Sequence, residues 1–430
     1  MSQLTRFYRF VIPSIAAMMV TGLYFIVDGI FVGQGGGADA LGMINLATPF
    51  ISVMTSISMM ITMGGATIAA IGFGRGERAQ ANQVFNISLW MVIFLAAIMS
   101  AIALCFGEQI AHFLGASGGF VAGTVTYLTY YTLFGIFFCG SMLLSAFIRN
   151  DDNPRLAFWG MMSGAISNIF FDWLFIFPLG LGLQGAAMAS GVGQIFSCLV
   201  LSTHFIRKKG ALRLALPRFE GALCLRILRV GAPEFVTHMS QPVITFCYNL
   251  IIVAAFGEIG ISAFSAASYL LWVILYIFIG LAQGVQPLLS ISFGEGDIQK
   301  ERYFLHTALK VGIVLSVGIY AIIFFLGRNI ITVFSTDIAL IEIAYHCLLV
   351  YGLSFVFSTI NVIFTTYYLS TERTKAALQI TVLRSLVVNA ACIFLVPMLF
   401  GAQFIWAGIV VAEAGMSLFV WAQAKWLVTK

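Results

Sequence analysis

The chain has 430 residues, of which 60% are hydrophobic and only 9% are charged, and its formal net charge at pH 7 is +5. Because soluble domains carry about 25% charged residues, this composition excludes a soluble globular protein. The sequence contains no P-loop, HExxH or GxSxG motif and its seven cysteines are isolated, so nothing in it indicates ATP hydrolysis, hydrolase chemistry, a disulfide framework or a metal site.

Twelve apolar segments follow one another along the chain, and each is close to or longer than the roughly 20 residues that a membrane-spanning helix needs. They lie at about 8–33, 43–73, 84–106, 121–148, 156–177, 183–205, 224–256, 259–293, 303–326, 340–370, 375–396 and 404–426. We therefore predict an all-α polytopic membrane protein with twelve transmembrane helices.

The basic residues predict the orientation of these helices. With twelve helices, nearly all loop cations fall on one side of the membrane, and the opposite loops contain only Arg328. Those cations are Arg6, Arg9, Arg75, Arg78, Arg149, Arg155, Arg207, Lys208, Lys209, Arg213, Arg218, Arg226, Arg229, Lys300, Arg302, Arg373, Lys375, Lys425 and Lys430. Since Lys and Arg are enriched in cytoplasmic loops, both termini are predicted to be cytoplasmic. The net positive charge then reflects topology, and no nucleic-acid partner is expected.

Polar residues in the first, fifth and sixth helices predict a cation site, because charged side chains inside a membrane are costly and indicate function. Asp28 and Asp172 lie about 20 and about 16 residues into two helices that run in the same direction, so both are expected in the outer half of the membrane. Asn168 lies one turn before Asp172 on the same face, and Ser190 reaches a similar depth. These oxygens suit Na⁺ or a shared proton. The structural alternatives are that Asp28 faces an outer loop and that Asp172 bonds a backbone amide.

A polar segment divides the chain into two similar halves. Residues 207–221 are predicted to be a cytoplasmic linker between an N-terminal six-helix lobe, residues 1–206, and a C-terminal six-helix lobe, residues 222–430. Several residues recur at one constant offset along the chain: Arg9 and Pro13 as Arg229 and Pro233, Gly64 as Gly284, the FGxG turn of 73–76 at 293–296, and Tyr131 as Tyr351. Six helices return the chain to its starting side, so the lobes are predicted to form a parallel, pseudo-symmetric repeat with a substrate path between them.

A polar stripe follows one face of the seventh helix, where Glu234, His238, Gln241, Thr245 and Tyr248 recur with helical spacing. Such a face is expected to line water or the interior of the bundle. We predict a substrate cavity that includes Tyr24, His238, Gln241, Tyr248 and Gln283. The alternatives are that Glu234 is solvated at the cytoplasmic end and that His238 is a hydrogen-bonded lining residue.

Two further ionisable residues lie in the last two helices. Arg384 and Glu413 are roughly 13 and 18 Å from the cytoplasmic surface at 1.5 Å per residue. Because antiparallel neighbours at similar depth can neutralise each other, we predict a structural ion pair.

Three motifs resemble those of the MATE (multidrug and toxic compound extrusion) family. Residues 23–33, LYFIVDGIFVG, resemble the first-helix signature. Residues 168–180 contain NIFFD and FIFPLG and resemble the fifth-helix motif, and residues 185–190, GAAMAS, are similar to the sixth, where threonine commonly stands in place of Ser190. The resemblance extends along the whole chain and points to the DinF-like bacterial branch.

The resemblance implies roles for particular residues. It assigns cation coupling to Asp28, Asn168, Asp172 and Ser190, and it implies that the first helix bends at Pro13 when the aspartates are protonated. In the NorM-like branch the essential acidic residues lie in the seventh and tenth helices. Here the seventh-helix position is Gln241, and the tenth helix has no acidic residue between positions 345 and 370. Coupling through the C-terminal lobe is therefore not expected.

The resemblance implies a secondary antiporter and not an enzyme. It would export amphipathic, cationic organic compounds in exchange for H⁺ or Na⁺, would need no other cofactor, and would be a monomer in the lipid bilayer of the bacterial cytoplasmic membrane. The alternative is a lipid or lipid-linked oligosaccharide flippase of the same superfamily. A flippase for pyrophosphate-linked cargo would need basic residues in its cavity, whereas the buried ionisable residues here are mainly acidic. A channel or an intramembrane enzyme would need a filter or a catalytic constellation, and the sequence contains neither.

Overall fold

The computed structural model describes residues 2–332 and 337–428 and forms twelve helical elements. The N-terminal half contains α1 (Gln3–Gly37), α2 (Asp39–Gly74), α3 (Arg78–Phe113), α4 (Gly119–Leu133 and Gly135–Asn150), α5 (Pro154–Ile176) and α6 (Gly182–Ile206). The C-terminal half contains α7 (Gly221–Gly257), α8 (Ile259–Glu295), α9 (Ile298–Ile331), α10 (Ile338–Gly352 and Ser354–Ser370), α11 (Thr374–Phe400) and α12 (Ala407–Val428). The predicted class, a twelve-helix membrane protein in two halves, is confirmed.

The twelve elements differ in whether their length and hydropathy are sufficient for a membrane-spanning helix. Within the described ranges, nine helices are long and apolar enough to cross a membrane alone, and α4 and α10 qualify when their two parts are counted together. The remaining element is α5, which contains the buried polar residues Asn168 and Asp172. The one described element that does not qualify as a spanning helix is thus the one that carries two of the four residues of the predicted cation site.

Single glycines, and not loops, connect the first two helices of each half. The sequence predicts gaps at residues 34–42 and 257–258, but the helical conformation continues on both sides of Gly37 (φ 70°) and Gly257 (φ 64°). A positive φ is accessible to glycine without steric cost, so one residue is enough to kink the chain. The predicted gap at 34–42 was therefore too long by several residues, whereas the predicted gap at 257–258 agrees with the structure to within one residue. The two kinks are separated by the same offset as Arg9 and Arg229, so they extend the repeat.

The fourth helix of each half, α4 or α10, is divided into two parts by a bend. The two parts of α4 and the two parts of α10 are each inclined by 46°. The breaks lie at Phe134 and at Leu353. The sequence did not predict these bends.

The first turns of α1 pack into the hydrophobic core of the C-terminal half, and the first turns of α7 pack into the core of the N-terminal half. Phe7, Phe10 and Val11 of α1 pack into a cluster made otherwise of α8 to α12. Correspondingly, Ile227 and Val230 of α7 pack into a cluster made mainly of α2, α3, α4 and α6. The halves are thereby joined at the membrane face where α1 begins and α12 ends. We call this face the basic face, because it carries the loop cations.

Glycines allow the two halves to touch backbone to backbone near the basic face. A Cβ atom on Gly231 of α7 would overlap the Met60 carbonyl of α2, and one on Gly64 would overlap the Ile227 carbonyl. On the other side, a Cβ atom on Gly284 of α8 would lie 2.8 Å from Cα of Val11. Six glycines make such contacts between the halves, and we call them the glycine seam: Gly64, Gly74, Gly231, Gly280, Gly284 and Gly294. Gly64 and Gly74 recur in the repeat as Gly284 and Gly294, so the seam has the symmetry of the fold.

The segment between α6 and α7 is attached to the N-terminal half. The carboxylate of Asp151 accepts hydrogen bonds from the backbone N–H groups of Ala211 (2.8 Å) and Leu212 (3.0 Å), and it contacts Nε2 of His204 at 2.8 Å. Further along, Oδ1 of Asn86 accepts a hydrogen bond from the N–H of Ala215 at 2.8 Å. The segment therefore follows a defined path as far as Ala215.

The Asp151→Asn variant is expected to weaken this attachment, because an amide NH₂ group replaces one acceptor oxygen and opposes N–H donors. The expected loss of unfolding free energy is about 1–3 kcal/mol, together with faster trypsin cleavage at residues 207–213. Asp152→Asn is the matched control. Its side chain is 58% exposed and pairs with Arg9, and exposed pairs contribute about 0–1 kcal/mol. Equal cleavage rates in the two variants would show that Asp151 does not hold the segment.

Candidate functional site

Three helices of the N-terminal half bring the predicted cation-site residues together. Asp28 comes from α1, Asn168 and Asp172 from consecutive turns of α5, and Ser190 from α6. Gly193 lets α6 approach α5 closely, because a Cβ atom there would lie 2.9 Å from Cβ of Asn168. At this separation Nδ2 of Asn168 lies 3.4 Å from Oγ of Ser190 and donates a hydrogen bond to it.

The site is buried and contains more acceptors than donors. Asp172 is 0% exposed and Asn168 is 2% exposed. The carboxyl groups of Asp28 and Asp172 lie close enough to influence each other electrostatically. However, two ionised carboxylates can only accept hydrogen bonds, so this proximity supplies neither of them with a donor. Both oxygens of Asp172, Oδ1 of Asp28 and Oδ1 of Asn168 are accordingly buried without a hydrogen-bond partner.

This arrangement can bind a small cation. A proton on one carboxyl group would create a donor for the other, and Na⁺ would be met by carboxylate, amide and hydroxyl oxygens, which are hard ligands. Within residues 2–332 and 337–428, no group of three or more His, Cys, Asp or Glu side chains could hold a metal ion. The donor set thus fits H⁺ or Na⁺.

Tyrosines surround the acidic pair, and sequence analysis identified only one of them. Tyr24 of α1 and Tyr127 of α4 both lie within electrostatic range of Asp28 and Asp172. Tyr131, one turn after Tyr127, lies within range of Asp28. Tyr131 belongs to the repeat, and this recurrence was the one signal that could have indicated its importance. Nothing in the sequence singles out Tyr127.

The other predicted residues occupy several environments. His238 lies 3.9 Å from Glu234 on α7, and both side chains are partly exposed. Gln241 and Gln283 are half-buried. Tyr248 is only 2% exposed, and its ring packs against Phe264 at 5.4 Å between centroids. In this conformation Tyr248 therefore belongs to the hydrophobic core of the C-terminal half and does not line an open cavity.

Pro13 lies in regular α-helix, whereas Arg384 of the predicted ion pair lies in a π-helical turn. The only residue with non-helical backbone angles in the segment 3–74 is Gly37, so α1 continues through Pro13. Nε of Arg384 donates to the two carboxylate oxygens of Glu413 at 2.9 and 3.0 Å. Arg384 lies in a π-helical turn, Leu383–Val388, inside α11.

Two repeated six-helix halves, one of which encloses a buried acidic site, define a polytopic secondary transporter. The family model described as MatE matches the chain twice, over residues 13–174 and 233–395. The chain belongs to the MatE family. The two matches begin at positions 13 and 233, so they are separated by the offset of the recurring residues.

Proteins of known name and structure resemble the chain over nearly its full length. It is 26% identical over 411 residues to the multidrug export protein MepA of Staphylococcus saprophyticus, covering 94% of this chain and 90% of that protein. MepA of Staphylococcus aureus strain bovine RF122 / ET3-1 is 24% identical over 410 residues, with the same coverage.

The solved structures that resemble the chain share its fold. One is an outward-facing conformation of a multidrug resistance MATE family transporter of the MOP superfamily, with a TM-score of 0.94, 19% identity and coverage of 100% of this chain and 96% of that one. Another is a MOP superfamily transporter from Pyrococcus furiosus, with a TM-score of 0.92, 20% identity and the same coverage.

Proposed function

We propose that the protein is a secondary antiporter that exports amphipathic organic cations in exchange for H⁺ or Na⁺. The observation that carries the proposal is the pair of buried carboxylates, Asp28 and Asp172, whose oxygens lack donors. A cation supplies the missing partner, so the affinity of the site depends on how far the surroundings of the pair exclude water. The names of the MepA relatives support multidrug export as the activity.

Cation uptake is coupled to drug release because the cation and the drug bind with different affinities to the two conformations. A conformation that buries two uncompensated carboxylates is costly, and a bound cation removes that cost. Cation binding therefore shifts the equilibrium between conformations, and a drug that prefers the other conformation is released. The glycine seam closes the basic face, whereas Asp28 and Asp172 lie toward the opposite ends of α1 and α5. We infer from the closed basic face that this conformation is outward-facing.

The moving parts would be the two lobes, residues 1–206 and 222–430, on either side of the linker 207–221. Pro13 has no N–H group to donate to the carbonyl of Arg9, so α1 lacks one helical hydrogen bond there. It lies within the part of α1 that contacts α8, where Gly280 still approaches Ile15, and it precedes the turn that carries Asp28. Bending at Pro13 would let the outer part of α1 move while its first turns remain packed.

The substrate path would lie between the lobes, bordered by Tyr24, His238, Gln241 and Gln283, with Tyr248 at its margin in other conformations. The aromatic side chains there favour organic cations. We further propose that the protein is monomeric and lies in the bacterial cytoplasmic membrane, with the basic face and both termini on the cytoplasmic side.

Ethidium efflux from proteoliposomes tests this function. An imposed pH gradient alone is expected to drive efflux if the pair takes a proton, and an imposed Na⁺ gradient alone if it takes Na⁺. The controls are protein-free vesicles and collapse of each gradient with an ionophore. If neither gradient drives the export of any organic cation, the antiporter proposal is rejected, and the flippase alternative is then tested with labelled lipid.

A further inference from the structure

A buried polar network lies in the C-terminal half, away from the acidic pair. Glu413 of α12 is 3% exposed and accepts hydrogen bonds from Nε of Arg384 on α11. Nδ2 of Asn361 on α10 donates to Oε2 of the same carboxylate at 2.7 Å, and Ser417 donates to Oδ1 of Asn361 at 3.2 Å. Three helices thus hold the guanidinium group by its Nε edge.

The other edge of the guanidinium group has no protein partner. Among the described residues, none accepts a hydrogen bond from Nη1 or Nη2 of Arg384. The side chain is 17% exposed, and neither Nη atom is fully buried. An arginine near the middle of a membrane faces the interior of the bundle or a water-filled cavity and not lipid. Two terminal nitrogens therefore present free donors inside the protein.

The repeat indicates that α11 and α12 do not need the Arg384–Glu413 pair in order to pack against each other. The positions equivalent to Arg384 and Glu413 in the N-terminal half, at the offset of the repeat, are Gly164 and Gly193. Those glycines bring α5 and α6 into direct contact, since a Cβ atom on Gly193 would lie 2.8 Å from the Gly164 carbonyl oxygen. The same helix contact is thus made without charges in one half. In the other half the charges coincide with a π-helical turn, which often marks a functional site.

We propose that the free edge of Arg384 binds the carboxylate of an amphipathic substrate. Two parallel N–H groups of a guanidinium match a carboxylate in bidentate geometry, and Glu413 and Asn361 fix the plane in which they point. The carboxylate of a zwitterionic substrate would thus dock at Arg384 in the C-terminal half. This inference rests on the proposed efflux function.

Binding of matched ligands to the purified protein tests the proposal. The probes are norfloxacin, which is zwitterionic, its methyl ester, which lacks the carboxylate, and ethidium, with affinities measured by fluorescence titration. Arg384→Lys keeps a charge beside Glu413 but loses the bidentate edge. The double variant Arg384→Gln/Glu413→Gln removes both charges together, so no buried charge is left unpaired. Both variants are expected to weaken norfloxacin binding about tenfold, with ester and ethidium binding unchanged.

The outcomes separate this inference from the antiporter proposal. A selective loss of norfloxacin binding supports the assignment of Arg384. A parallel loss for all three probes, or unchanged norfloxacin binding, overturns it and leaves a purely structural pair. Failure of the wild type to bind norfloxacin while it exports ethidium overturns only this inference. Failure to bind or export any probe overturns the efflux function as well.

Discussion

Asp172→Asn is expected to reduce gradient-driven efflux strongly while leaving the protein folded. Asparagine has nearly the same shape but cannot take up a proton or present two charged oxygens to Na⁺, so cation binding no longer distinguishes the conformations. The efflux rate should fall by about 5- to 150-fold, which is the usual range of coupling between two sites. Because the substitution removes a fully buried carboxylate without a hydrogen-bond partner, the thermal stability in detergent should not decrease.

The measurement is ethidium efflux from proteoliposomes under the effective gradient, with Tm recorded on the same preparations. Asp39→Asn is the control, since Asp39 is an exposed acidic residue at the beginning of α2. Its efflux is expected to equal that of the wild type. Undiminished efflux in Asp172→Asn would contradict coupling at this site and direct attention to Glu234 and His238 on α7.

Gly231→Ala is expected to prevent closure of the basic face. The added methyl group would overlap the backbone carbonyl of Met60, which cannot move unless the two halves separate. The variant should therefore occupy the conformation that opens at the basic face, and transport should stop although ethidium binding persists. Spin labels at positions 75 and 297, near the ends of α2 and α8, should report a longer distance than in the wild type.

Gly318→Ala is the matched control for this substitution. Gly318 lies in α9, and a Cβ atom there would meet nothing within 4 Å. Replacing an unconstrained helical glycine with alanine stabilises a helix by about 1 kcal/mol, so this variant should be slightly more stable and fully active. Normal transport by Gly231→Ala would refute the seam as the closing contact. Gly64→Ala should behave like Gly231→Ala, because its Cβ atom would overlap the Ile227 carbonyl on the same surface.

Much of the site could be predicted from the sequence because depth in a membrane follows directly from helix length. Asp28 and Asp172 occupy similar depths in helices that run in the same direction, and Asn168 lies one turn from Asp172. The same reasoning brought Arg384 and Glu413 together, and the structure places them 2.9 Å apart. The repeat was visible because glycine, proline and the FGxG turn are rare enough to be matched in an apolar chain.

The remaining features of the fold and the site could not be predicted, because they depend on backbone angles and on contacts between residues that are far apart in the sequence. Several glycines precede α2, and nothing in the sequence distinguishes Gly37, with its positive φ, from its neighbours. Tyr127 is one of 14 tyrosines, and only the packing of α4 brings it near the acidic pair. The acceptors that fix the segment after α6, such as Asp151 and Asn86, come from elements about 60 and 130 residues away in the chain.

The fixed path of the segment after α6 sets how far the two lobes can separate. Because the chain is hydrogen-bonded to the N-terminal half as far as Ala215 and α7 begins at Gly221, residues 216–220 form a short tether, which contacts α3 through the side chains of Phe219 and Glu220. Fully extended, such a tether spans roughly 17 Å, at about 3.4 Å per residue. The lobes of one chain can tilt within that radius but cannot drift further apart. Their encounter is thus always intramolecular, with an effective concentration set by a five-residue chain.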